Sequence, residues 1–275
     1  MSARSAPPDQ LARQFEQYVM PTYSRFPIAL ERGEGCRVWD TAGGEYLDFG
    51  AGIAVCALGH SHPAIREAMV VQAARLMHTS NLYYIPAQAE LARRLVECVA
   101  LPGKIFFCNS GAEANEGMFK LARRFGSLTG ERHEIITFEG SFHGRTLAGI
   151  AATAQGKVKQ GFGPPTPGFR SVPFNDIQAV QAATSEHTCA VLVEPIQGEG
   201  GINLADAGFL QALRSHCDAH NLLLLFDEVQ CGLGRTGDWC GWRSLGAGEV
   251  APDGVSWAKG IAGGFPLGAF WARGE

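Results

Sequence analysis

Leu222-Leu223-Leu224-Leu225-Phe226-Asp227-Glu228 sets two acids at the end of an unbroken apolar run. A run of that length, bounded by polar residues, reads as a strand buried on both faces, the kind found inside a parallel sheet. Ligands of such sheets bind beyond the carboxyl ends of the strands, so Asp227 is expected to face a site and to find a cationic partner there. Glu228, the next residue along the strand, should point elsewhere. Downstream, Ser256-Trp257-Ala258-Lys259-Gly260 places a lysine among small and apolar residues, just before the glycine-rich stretch 260–268.

A carboxylate that keeps a ring nitrogen protonated and a lysine that bonds an aldehyde are the two protein groups pyridoxal phosphate requires. A phosphate seat is the third. Asn109-Ser110-Gly111-Ala112-Glu113-Ala114-Asn115-Glu116 follows Ile105-Phe106-Phe107-Cys108, which reads as a second buried strand, so a helix should begin directly after it. Ser110 suits the N-cap, Met118, Phe119, Leu121, Ala122 and Phe125 recur at helical spacing, and Gly126 suits the end. Amides at that N-terminus, closely approachable because Gly111 and Ala112 lack bulk, would bind a dianionic phosphate. An ordinary capped strand-to-helix turn is the other reading of this segment taken alone. In the company of Asp227 and Lys259 the phosphate seat is favoured.

These segments, in this order, resemble the class III aminotransferases of the pyridoxal-phosphate fold type I superfamily, with most likeness to the acetylornithine and ornithine aminotransferases. The likeness is carried by residues 21–40, 46–63 and 78–84, by NSGAEANE (109–116), SFHGRT (141–146), VEPIQGEGG (193–201), LLLLFDEVQCGLGRTG (222–237) and WAKGIAGGFPLGA (257–269). It implies an α/β fold: a large domain with a mostly parallel, seven-stranded sheet and helices on both faces, plus the N-terminal part of a small domain. Residues 1–75 would be the N-terminal segment and partial small domain, and 76–275 the large cofactor-binding domain. In the family pattern a further segment and most of a C-terminal small domain follow, and the expectation here is that this domain is absent. Exposed apolar surface would then remain where it docks.

The resemblance also implies residue roles. Lys259 would carry the cofactor and move protons, and Asp227 would hold the ring nitrogen protonated. Ser110, Gly111 and Ala112 would seat the phosphate. Phe142 would lie on one face of the ring with Val229 on the other, and Gln230 would donate to the ring's phenolic oxygen. Arg145 would pair with a substrate carboxylate through its planar fork, and Tyr23 would touch the substrate. Glu199 would pair with an arginine that lies beyond residue 275 in the family pattern. The implied reaction moves the terminal amine of N2-acetylornithine to 2-oxoglutarate, as in arginine biosynthesis. Ornithine, succinylornithine or another omega-amino acid is the alternative donor, and an inactive aminotransferase-like binding protein is a further alternative. A homodimer is implied, because the family's sites lie at a dimer interface. One departure from the pattern is Tyr84-Ile85-Pro86-Ala87, where a glutamate usually precedes the proline.

Composition agrees with this reading. With 275 residues and a net charge of −4, both signs interspersed, neither a nucleic-acid partner nor a membrane surface is expected. The first twenty residues have no continuous apolar core and no run is long enough to span a bilayer, so a cytoplasmic location is the default expectation. Eight cysteines without a CxxC pair suggest small buried hydrophobes in a reducing compartment. Along the chain, 6–18, 63–77, 88–99 and 207–221 read as helices. Residues 37–40 and 45–49 read as a hairpin, 134–138 and 188–194 as strands, and 161–168 as a loop. Gly232 to Gly237 matches G-x-G-x-x-G after a strand, but no apolar-periodic helix follows, which weakens a nicotinamide reading. His60 and His62 lie two apart in a turn with no third ligand nearby, so no metal is expected.

Overall fold

The computed structural model describes residues 8–274. The chain divides into two compact units, the first ending at Ser80 and the second beginning at Asn81. In the first, α1 (Pro8–Tyr18) precedes a three-stranded antiparallel sheet of β1 (Leu30–Glu34), β2 (Arg37–Asp40) and β3 (Glu45–Leu47), followed by α2 (Pro63–Ala73). Asp40 closes the β2–β3 turn by accepting hydrogen bonds from the amides of Ala42 and Gly44 at 2.9 and 2.7 Å, a side-chain solution typical of aspartate in turns. The hairpin is as read, except that its second strand stops at Leu47. Helix α2 stops at Ala73 rather than Met77, where the Gln72 side chain turns onto the Leu76 carbonyl at 2.8 Å. Ala6 and Pro7, expected to open α1, lie outside the described residues.

The second unit runs α3 (Pro86–Val99), β4 (Gly103–Cys108), α4 (Gly111–Leu128), β5 (Glu134–Phe138), α5 (Leu147–Ala152), β6 (Phe169–Val172), α6 (Ile177–Ala183) and β7 (Thr188–Val193). A short hairpin of β8 (Ile196–Gln197) and β9 (Asn203–Leu204) follows, then α7 (Ala207–His220), β10 (Leu223–Asp227), β11 (Gly254–Trp257) and β12 (Gly268–Arg273). Seven strands make one sheet in the order β4-β12-β11-β10-β7-β5-β6. The ladders joining β11, β10, β7, β5 and β6 are parallel, and β12 is antiparallel to both its neighbours. The leucine strand is therefore interior, with parallel partners on both sides, as its composition demands.

Its alternation divides the core. Leu224 and Phe226 pack with Phe209 and Leu213 of α7, whereas Leu225 packs with Met118 and Phe119 of α4 on the opposite face. Ile136 and Ile135, and Val191 and Leu192, divide the same way, so helices cover both faces. Each such fully buried side chain contributes roughly 1.5–3 kcal/mol. Cys189, Cys217, Cys231 and Cys240 are buried in this unit, whereas Cys36 is exposed and Cys56, Cys98 and Cys108 are half-buried.

Three features depart from the sequence reading. Strands β6 and β12 carried no clear period-2 signal. Helix α4 continues through Gly126 to Leu128. Gly126 does not end the helix but marks a close approach: a Cβ there would lie 2.1 Å from the Arg132 carbonyl oxygen and 2.9 Å from the Cys189 Cβ.

Beyond β10 the chain turns so that Glu228 leaves Asp227 behind, as expected. Its Oε1 accepts a hydrogen bond from the Trp242 amide at 3.0 Å, tying down the loop 229–241. Complete burial pushes its carboxyl up to about 8, so near neutral pH it is uncharged.

Two outcomes follow from this packing. Gly126→Ala should destabilise the protein by roughly 1–3 kcal/mol, because backbone rather than a flexible side chain obstructs the added methyl; urea unfolding measures it. Glu228 holds in the folded state a proton that the unfolded chain, with a carboxyl near 4.5, has released. Its stabilising contribution is full below pH 4.5 and is lost as pH rises through 8. Glu228→Gln should flatten the decline of melting temperature between pH 6 and pH 9, seen by comparing thermal scans of the two proteins across that window.

Candidate active site

Asp227 ends β10 with only 3% of its surface exposed, and four donors converge on it. Oδ2 accepts from Asn115 Nδ2 at 2.7 Å and lies 2.8 Å from His143 Nδ1. Oδ1 accepts from the Val229 amide at 3.1 Å and, more distantly, from Ser256 Oγ at 3.4 Å. Such pairing is what a buried carboxylate requires. The donors come from α4, from the loop before α5, from the turn after β10, and from β11, where Ser256 is the register partner of Asp227. The Asn115 amide also donates to the His143 carbonyl at 3.1 Å, while its oxygen accepts from Ser256 Oγ at 2.7 Å.

The ionisable partner that the structure gives Asp227 is His143, whose position the sequence did not single out. Burial works against the charged imidazole, but the hydrogen bond and the charge of Asp227 outweigh it and raise His143 above the ordinary range. Its Nε2 is buried and has no hydrogen-bond partner among the described residues. Asn115 was also passed over, although a signal existed: it lies on the same stripe of α4 as Met118, Phe119 and Ala122, all buried. A polar residue on a core stripe requires a polar partner. Ser256, polar inside a fully buried strand, gives the same kind of signal.

Beside Asp227 opens a cavity of about 350 Å³. At one end is the start of α4, where Ser110 Oγ caps the helix by accepting from the Glu113 amide at 3.2 Å and Glu113 Oε2 reaches back to accept from the amide of Asn109, the residue before the cap, at 2.5 Å. Among the described residues, the amides of Gly111 and Ala112 find no protein acceptor. A Cβ on Gly111 would fall 2.8 Å from Val229 Cγ1, and one on Gly144 3.0 Å from the Ala112 Cβ, so both glycines keep this end of the cavity compact.

Lys259 lines the cavity from the turn after β11, with a left-handed φ of +48°, a strained setting for a residue with a Cβ. Burial lowers its ammonium below the usual lysine range, against the pull of Glu199, whose Oε1 lies 3.9 Å from Nζ. Gln230 Nε2 donates to the same Glu199 oxygen at 3.1 Å. Phe142 lines the wall, and the Arg145 guanidinium stands 5.3 Å from its ring centre. Glu194, which the sequence reading took only as the last residue of a strand, is also in the wall, buried, and pushed up to about 7 chiefly by burial.

Of the residues singled out beforehand, Ser110, Gly111, Ala112, Phe142, Arg145, Glu199, Asp227, Val229, Gln230 and Lys259 all line this one cavity. Tyr23 belongs to the first unit and is exposed there. The other motifs resolve differently. Gly232 to Gly237 folds as successive turns closed by Leu233 N to Trp239 O at 2.8 Å, and no helix opens from it. His60 Nε2 meets Asp48 Oδ2 at 2.6 Å. No helix among the described residues is long and apolar enough to cross a membrane.

The donor set suits pyridoxal phosphate. An unpaired helix N-terminus can take its phosphate, a lysine amine with lowered proton affinity can take its aldehyde, and a buried carboxylate can face its ring nitrogen.

Comparison with known proteins agrees. Residues 18–275 match the family described as aminotransferase class-III, whose enzymes depend on pyridoxal phosphate. The chain is 52% identical over 267 residues to an acetylornithine aminotransferase of Nostoc sp., covering 94% of this chain and 62% of that protein. It therefore spans less than two thirds of that relative's length. The N-acetylornithine aminotransferase of Stenotrophomonas maltophilia has a similar structure, with a TM-score of 0.79 and 40% identity over 95% of this chain and 65% of that one. The ornithine aminotransferase of Toxoplasma gondii, whose active site holds pyridoxal phosphate at partial occupancy, superposes with a TM-score of 0.90 at 32% identity, over 98% of this chain and 63% of that one. With the matched segment running through the cavity from Asn109 to Leu267, the chain belongs to the class III aminotransferase family.

Proposed function

We propose that this chain serves a pyridoxal-phosphate-dependent transamination that passes the terminal amine of N2-acetylornithine to 2-oxoglutarate, a step of arginine biosynthesis. The observation that carries the reading is the convergence of Lys259, Asp227 and the N-terminus of α4 on one cavity. Residues 76–275 are taken as the cofactor-binding domain, working in a homodimer in the cytoplasm as the family resemblance implies. Ornithine is the second candidate donor, favoured by the structural likeness to the Toxoplasma enzyme. The higher identity to the Nostoc protein favours acetylornithine.

Bound in this cavity, the cofactor supplies an electron sink for the bond broken next to the substrate nitrogen. The residues divide the remaining work. The amides of Gly111 and Ala112, with Ser110, hold the phosphate. Lys259, its ammonium destabilised by burial, would hold the cofactor by condensing its amine with the aldehyde, water leaving, and would be the group that moves a proton at the substrate carbon. Asp227, fixed by Asn115 and His143, keeps the ring nitrogen protonated and so preserves its pull on electrons. Phe142 and Val229 flank the ring, and Gln230 donates to its phenolic oxygen with the hydrogen not taken by Glu199. Arg145 binds a substrate carboxylate through its fork. Glu199 pairs with the arginine that the family pattern places beyond residue 275, and Tyr23 contributes a further contact.

Addition of pyridoxal phosphate should give the purified chain a visible absorbance band. Borohydride should then leave a cofactor-derived mass on the peptide containing Lys259. Lys259→Ala should show neither, and a persistent band in that variant would place the attachment elsewhere. The donor is settled by single half-reactions followed at that band. N2-Acetylornithine should bleach it about tenfold or more faster than ornithine, succinylornithine or 4-aminobutyrate at equal concentration, the ratio that one well-placed polar contact supplies. A faster reaction with ornithine would reassign the substrate, and cofactor retention with no half-reaction would favour the binding-protein alternative.

A further inference from the structure

Two segments that carry proposed substrate and cofactor contacts come from different parts of the second unit. Residues 139–146, following β5, bear Phe142 and Arg145. The tip of the β8–β9 hairpin bears Glu199. They meet closely: a Cβ on Gly200 would lie 2.3 Å from the Gly140 carbonyl oxygen, and Gln197 Nε2 donates to the Glu139 carbonyl at 2.7 Å. Both segments also converge on one side chain. Glu194, 6% exposed and directly following β7, accepts the Phe142 amide on Oε1 at 2.7 Å and the Gly198 amide on Oε2 at 3.3 Å. One oxygen serves each segment, and each amide belongs to a proposed site residue or to its immediate neighbour.

Building on the functional reading above, we propose that Glu194 is a positioning residue that clamps Phe142 and Glu199 into one arrangement, so that the ring-flanking wall and the Glu199 carboxylate are set together. A carboxylate is the side chain for this task, because both of its ends accept. An amide of the same shape has one accepting and one donating end, and must set an N–H against one of the two backbone N–H groups. Glu194 also contributes to the field that faces the catalytic groups. Its charge favours the ammonium of Lys259 and acts on His143 and Cys231, while Asp227 and His143 act on it in turn. Burying a carboxylate that never touches the reacting atoms costs stability, which a structural support alone would not need.

Amide hydrogen exchange on the chain without cofactor tests the clamp independently of any enzymatic activity. In Glu194→Ala the Phe142 and Gly198 amides should both exchange about tenfold or more faster, the loss of a hydrogen bond to a charged group, while the amides of β7 and α4 keep their protection. In Glu194→Gln one of the two should be lost and the other retained. Unchanged exchange at either site in the alanine variant, or faster exchange throughout β7, would overturn the proposal. A second readout separates positioning from mere support. On the reconstituted protein, the pH midpoint of the visible band should move down in Glu194→Gln by about half a unit or more, since a negative charge near Lys259 is removed. An unmoved midpoint would also count against it. Exchange results that bear out the clamp in a chain that binds no pyridoxal phosphate would refute the functional reading alone.

Discussion

A carboxylate buried at the end of a central strand must find donors, and Asp227 finds them in four separate elements. That requirement fixes much of the architecture around it. Helix α4 must approach β10 closely enough for Asn115 to reach Oδ2, and residues 139–146 must fold back under the sheet's carboxyl edge to deliver His143. Strand β11 must pair in the one register that sets Ser256 beside Asp227. Removing any one partner would leave polar groups unpaired in a region where each such group costs about 1–3 kcal/mol. The same constraint aims the N-terminus of α4 at the cavity, because the helix that supplies Asn115 also supplies the amides of Gly111 and Ala112.

Burial acts differently on three neighbouring acids. Glu228 is sealed so completely that burial outweighs its donors, the Trp242 amide among them, and it is pushed up to about 8; it serves as a neutral anchor for the loop between β10 and β11. Glu194, with two amide donors and the counter-charge of His143, is pushed only to about 7. Asp227 collects four donors from the protein. Chain direction explains the contrast between the adjacent pair: successive residues of a strand point to opposite faces, so Asp227 meets the cavity and Glu228 meets Trp242. Lys259 lines the same cavity, where burial weakens its hold on a proton against the pull of Glu199.

Residues with a one-dimensional signature were legible in the sequence. The leucine strand, the Ser110 cap and the α4 stripe each announce themselves by composition or period, and the apolar run before Asp227 and the small and apolar neighbours of Lys259 single out those two groups. The Glu194 clamp and the His143 pairing were not legible, because each joins residues tens of positions apart whose meeting depends on strand order. Strand β12 was missed for a related reason: its six residues are half small and half aromatic or charged, and it takes strand form by inserting between β4 and β11. Gly126 misled in an instructive way. A glycine near the end of an apolar period is a reasonable helix stop, yet here its missing side chain makes room for the Arg132 carbonyl, a contact that local sequence does not reveal.

The central claim is that Asp227 keeps the cofactor's heterocycle cationic, and it is open to direct observation. Pyridoxal phosphate labelled with nitrogen-15 in the ring, bound to this chain, should give the chemical shift of a protonated pyridine nitrogen, and should hold that shift as pH is raised well past the point where the free cofactor loses its ring proton. A shift that titrates as it does in free solution would show that Asp227 does not face the ring, and the assignment of the cavity would fail with it.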